Sequence, residues 1–97
     1  MGVLSPSHYK NLFEDVGFGD EHGAALLLRT QLLKAVKREL EAKNWPQVIA
    51  AQKLGVKQPR ISEIYALRID KFSAELLVKY LYKLGKEVNL GLVNRKR

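Results

Sequence analysis

The chain has 97 residues, 46% of them hydrophobic, with a formal net charge of +7 and no cysteine. That length gives one domain, residues 1–97, with a modest core, and that apolar content excludes a disordered chain. The absent thiols exclude disulfides and thiolate metal sites, no apolar run approaches the ~18 residues of a membrane span, and MGVLSPSHYK lacks the basic start and apolar core of a signal peptide, so a cytoplasmic protein is expected.

Charge divides along the chain. Residues 1–21 hold Lys10 against Glu14, Asp15, Asp20 and Glu21, whereas the remainder holds sixteen Lys/Arg against six acids. A basic body behind an acidic lead-in points to a polyanionic partner. Residues 1–12 read as irregular. Leu12, Phe13, Val16 and Phe18 then cluster in LFEDVGF, as a turn or flap that packs on the body.

A long helix is expected over 20–43. Asp20 suits its N-cap and Glu21 its first turn. Ala25, Leu28, Leu32, Val36 and Leu40 recur at steps of three and four, which makes one helical face. Leu26 and Leu27 fall off that stripe and need a second cover, for which the Phe13/Phe18 segment is the candidate. Asn44-Trp45-Pro46 ends the helix, because the residue before proline avoids the helical basin. Trp45 reads as a core plug at the junction.

Residues 46–66 read as two short helices joined by Gly-Val-Lys. Pro46 suits the first turn of one, which runs to Leu54. Gly55 closes it, since glycine takes a left-handed conformation without a Cβ clash. The next helix begins at Gln58, with Ile61, Ile64 and Tyr65 inward. A fourth helix is expected over 73–84, with Ser73 as cap, Leu76, Leu77, Tyr80, Leu81 and Leu84 inward, and Gly85 at its end. Lys79, Lys83 and Lys86 read as its solvated side. Val88, Leu90 and Leu92 then alternate, which predicts a strand over 87–93. Such a strand needs a partner: residues 2–4, the same strand of a second copy, or another protein. The closing RKR reads as a solvated basic tail.

Two short helices around a glycine turn make a helix-turn-helix. Ala51 is small where the second helix crosses, and Val56 and Ile61 lock the crossing. Gln47 stands at a free helix N-terminus that can approach a phosphate.

WPQVIAAQKLGVKQPRISEI resembles the core of the Xre-type helix-turn-helix domains of bacterial and phage repressors, with Gln47, Ala51, Gly55, Val56, Gln58, Ile61 and Ser62 at matching positions. Across residues 11–93, DVGF, the long helix, FSAELL, LGKEV and the terminal strand resemble a subgroup of small antitoxins paired with growth-inhibiting toxins. The resemblance implies an all-α, lambda-repressor-like bundle of four to five helices with a short C-terminal β-strand. It implies base contacts by Gln58, whose amide can pair with adenine, by Arg60 with guanine or phosphate, and by Ser62 and Glu63 one turn on. Pro59 replaces a polar reader and is left with a thymine methyl. Gln47 and Lys57, with Arg68 and Lys71, are implied as phosphate contacts that position without reading. Leu67 stands where the family commonly ends the helix with glycine. A leucine there would cost about 1–2 kcal/mol, so a different helix end is expected, which would displace Arg68 and Lys71.

No catalytic, metal or cofactor site is expected. His8 and His22 are the only histidines, both lie in the front end, and GFG lacks the rest of a phosphate-binding fingerprint. The resemblance therefore implies a DNA-binding repressor. It would bind a near-palindromic double-stranded operator as a homodimer and pair with a cognate toxin. The alternatives are a stand-alone phage or host regulator and an interaction module that has lost DNA binding.

Overall fold

The computed structural model describes residues 20–95, which form four α-helices and one 3-10 turn. The Phe13/Phe18 flap, residues 2–4, His8, Lys96 and Arg97 lie outside the described residues.

Helix α1 spans Glu21–Lys43. The Asp20 carboxylate accepts from the Gly23 amide at 3.1 Å, so the expected cap is made. Leu32, Leu33, Val36 and Leu40 are buried. Ala25 and Leu28 belong to the same periodic stripe, yet both are exposed, Leu28 at 51%. Periodicity identifies the face but not how much of it is covered, and here Ala25 and Leu28 stay open.

Helix α2 spans Gln47–Leu54, with Pro46 outside it as an extended N-cap rather than inside its first turn. Helix α3 spans Gln58–Tyr65, and α4 spans Ala74–Lys83. Between α3 and α4 lies the 3-10 turn Ile69–Lys71, followed by buried Phe72. The Ser73 hydroxyl accepts from the Leu76 amide at 3.1 Å and starts α4 as expected. Helix α1 packs along α4, and α2 packs against α3. Leu54, Ile61, Ile64 and Leu77 have no exposed surface and centre the core, and Trp45, Val56, Tyr65, Leu67 and Leu76 pack around it. Tyr82 is the exception among the tyrosines of α3 and α4, being largely exposed.

All four helices end on a left-handed residue: Asn44 (φ 59°), Gly55 (φ 70°), Leu67 (φ 55°) and Gly85 (φ 87°). The last three share one hydrogen-bond pattern. Val56 N–H donates to the Ala51 carbonyl, Arg68 N–H to Glu63 and Lys86 N–H to Leu81. The shorter bonds Gly55 to Gln52, Leu67 to Ile64 and Gly85 to Tyr82 lie inside them. This is the six-to-one and five-to-two closure that satisfies orphan carbonyls at a helix end. Leu67 therefore corrects one expectation: α3 ends as a glycine-terminated helix would, with leucine bearing the strain. Its side chain is half-buried against the core, and that packing is what an unstrained glycine would forgo.

The second correction concerns residues 87–93. They form no strand; Lys86 to Arg95 is irregular and exposed, with Leu90 and Leu92 each 86% accessible. Alternation places side chains on two faces but supplies no hydrogen-bond partner, and no described segment lies alongside to provide one.

Candidate nucleic-acid interface

The site is set by the turn between α2 and α3. Gly55 reverses the chain, buried Ala51 admits the crossing helix, and Ile61 and Ile64 seat α3 in the core. The consequence is that the first residues of the two helices, eleven apart in sequence, meet at the surface. Gln58 Nε2 donates to Gln47 Oε1 at 3.4 Å, and Ser62 Oγ donates to the same oxygen at 3.3 Å. All three residues are exposed.

An amide side chain has two donors and one two-lone-pair acceptor. Both lone pairs of Gln47 Oε1 are engaged here, while its two N–H groups are not used in this network. Gln58 keeps its Oε1 and its second N–H. A glutamine amide with a donor and an acceptor to spare is the group that can pair with N6 and N7 of adenine. Pro59 and Lys57 are exposed beside them, and no side chain caps the N-terminus of either α2 or α3. Residues 43–71 carry six Lys/Arg against Glu63 and Asp70, so the surface potential here is positive.

Arg60 and Glu63 are placed differently from Gln58. The Arg60 Nη1 lies 3.2 Å from Glu63 Oε1 and donates to the Lys71 carbonyl at 3.2 Å, and the guanidinium stands 4.9 Å from the Phe72 ring centroid. Both charged side chains are 34% exposed. Phe72 meets Tyr80 edge-on at 6.3 Å. Burial raises the Tyr80 pKa, and the nearby Arg60 charge partly opposes that rise. Arg68 and Lys71 are exposed on the turn after α3.

Three lysine contacts escaped the sequence reading. Lys83 Nζ donates to the Leu54 carbonyl at 2.9 Å, fixing a cation at the C-terminus of α2, where it also meets the favourable end of the helix dipole. Lys43 and Lys53 stand 5.8 and 5.6 Å from the Trp45 ring, which packs on the core as expected. Among the described residues no group of His, Cys, Asp and Glu could hold a metal ion, and no helix is long and apolar enough to cross a membrane.

A family model described as a helix-turn-helix domain matches residues 12–92, and the chain belongs to that family. Membership points to a DNA-binding regulator. No curated protein and no solved structure matches the chain.

Proposed function

We propose that this member of the helix-turn-helix family is a sequence-specific repressor of transcription that reads double-stranded DNA with the first turn of α3. The observation that carries this reading is the Gln47–Gln58–Ser62 network. It leaves exposed Gln58 with a donor and an acceptor to spare, on a basic surface, at the start of a helix narrow enough for a major groove. Gln58 and Ser62 read base edges, and Pro59 adds contact with a thymine methyl. The two N–H groups of Gln47, with Lys57, Arg68 and Lys71, bind phosphates. Two copies would present their α3 helices to successive major grooves about 34 Å apart on a near-palindrome.

The pairing with a toxin rests on the resemblance of residues 11–93 to small antitoxins. The exposed Val88, Leu90, Leu92 and Val93 offer an uncovered apolar segment for a protein partner. Such a pair would repress its own operon.

The test is binding to the DNA upstream of the protein's own gene. Gln58→Ala should relax preference at one base pair by about 1–3 kcal/mol. Equal losses on every sequence would remove Gln58 as a reader, and no binding by the wild type at low salt would remove the DNA reading. Co-expression with the neighbouring gene tests the toxin: recovery of a stable complex supports it, and a chain that binds DNA alone is a stand-alone regulator.

A further inference from the structure

We infer that Arg60 is a positioning residue: it braces the recognition helix to the turn at residues 69–72 and sets where Lys71 meets the duplex backbone, and it does not read a base. The inference rests on the DNA-binding reading above.

Three surrounding groups hold the guanidinium. Glu63 takes one edge at 3.2 Å, and the Lys71 carbonyl accepts at 3.2 Å. The Phe72 ring lies 4.9 Å away and itself meets Tyr80 of α4 edge-on. Two of these lie outside α3, so the side chain ties α3 to the turn. The path of the turn makes this possible. Leu67 in its left-handed conformation sends the chain back along α3, which brings the Lys71 carbonyl to a side chain eleven residues earlier.

Releasing Arg60 toward a guanine would break a charge-assisted contact, a carbonyl bond and a cation–π contact together. It would also leave the Glu63 carboxylate facing a polyanion without its counter-charge. Both losses oppose the release. With Arg60 in place, the Glu63 charge is neutralised and the backbone of Lys71 is fixed, while the Lys71 side chain stays exposed.

The experiment compares wild type, Lys71→Ala, Arg60→Met and the double variant on the operator and its single-base variants over a salt series. Arg60→Met should weaken every sequence roughly tenfold, keep the ranking of base variants, and flatten the salt slope by about one unit, as loss of one phosphate contact does. Adding Lys71→Ala should then change affinity by less than about twofold, because the two residues act through one contact. A relaxed preference at a single base pair, or independent multiplication of the two single effects, overturns the inference. An unchanged slope in Lys71→Ala alone also overturns it, while leaving wild-type operator binding intact. Absence of wild-type binding overturns the underlying reading instead. A second measurement needs no variant. The Arg60 Nε–H resonance of the wild type, displaced by the Phe72 ring, should hold its position when operator is added. Its return to an unstacked position refutes the brace.

Discussion

Substitution of Gln47 separates orientation from phosphate binding. Gln47 Oε1 accepts from Gln58 and Ser62 at 3.4 and 3.3 Å, both longer than the usual ~2.9–3.0 Å and both in water. Such bonds contribute little to folding, so Gln47→Ala should change stability by less than about 0.5 kcal/mol. Their effect on recognition is larger. Ordering a glutamine costs up to about 2 kcal/mol of rotamer freedom, and a partial hold by Gln47 supplies about 0.5–1 kcal/mol of it in advance. Gln47→Ala should therefore lose about that much discrimination at the base pair read by Gln58. It should also lose affinity on all sequences through the missing phosphate contact. Gln47→Glu is the informative partner. Its carboxylate still accepts from Gln58 and Ser62, so discrimination should persist, while its charge repels phosphates and lowers affinity everywhere. Gel shifts on the operator and its variants measure both quantities, and melts followed by the single tryptophan, Trp45, check the fold. If Gln47→Glu relaxes discrimination as far as Gln47→Ala does, the orienting role is wrong.

Gly55→Ala forces alanine to φ 70° and places a Cβ 3.3 Å from Lys83 Nζ. Strain of about 1–2 kcal/mol, offset by about 0.4–1 kcal/mol from the stiffer unfolded chain, should leave a loss near 1 kcal/mol in urea melts, and unchanged stability would contradict it. Lys83→Met removes the cation from the Leu54 carbonyl and should cost about 1 kcal/mol, the partly exposed setting placing it below the range for charged bonds. Combined with Gly55→Ala it should cost less than the sum; strict additivity would show that the two do not meet. Burial holds the Tyr80 proton more tightly in the fold than in the unfolded chain, whose tyrosine titrates at 10.0. Stability from this group is complete below pH 10.0 and declines as pH rises through the folded value; Tyr80→Phe should flatten the decline, and identical alkaline curves for the two proteins would exclude Tyr80 as its source.

The sequence made legible what local chemistry decides. Asp20 and Ser73 start helices because a short oxygen-bearing side chain reaches an orphan amide, and Gly55 and Gly85 end them because they lack a Cβ. Leu67 was misread for the same reason: the local rule asks for glycine, and contacts with the core override it. The strand at 87–93 was misread because a period of two specifies faces, whereas a strand exists only by pairing. The Gln47–Gln58 meeting was not anticipated, although both residues open helices flanking one tight turn. Nor was the setting of Arg60. Its pairing with Glu63 lies one turn away in sequence, but the carbonyl and ring that complete it belong to residues 71 and 72, beyond a turn whose path was expected to differ. Lys83 shows the same limit at longer range, since its acceptor is 29 residues distant.

A helix of eight residues is too short to persist alone in water, so α3 takes its existence and its aim from the core. Ile61 and Ile64 are fully buried, and each supplies roughly 1.5–3 kcal/mol by leaving water. That exceeds the ~1–2 kcal/mol of strain at Leu67, which explains how a leucine can hold the left-handed position at the end of this helix. The two faces of α3 therefore fail differently when altered. Truncating Ile61 or Ile64 should weaken the proposed DNA binding by destabilising the domain, at about 2–5 kcal/mol each. Altering Gln58 or Ser62 should leave the melt in place and, on the proposed reading, change which sequence is bound. Arg60 lies between these faces, part exposed and fastened to its own molecule on several sides. A loss of affinity there with base preference intact is the outcome that neither a pure core residue nor a pure reader would give.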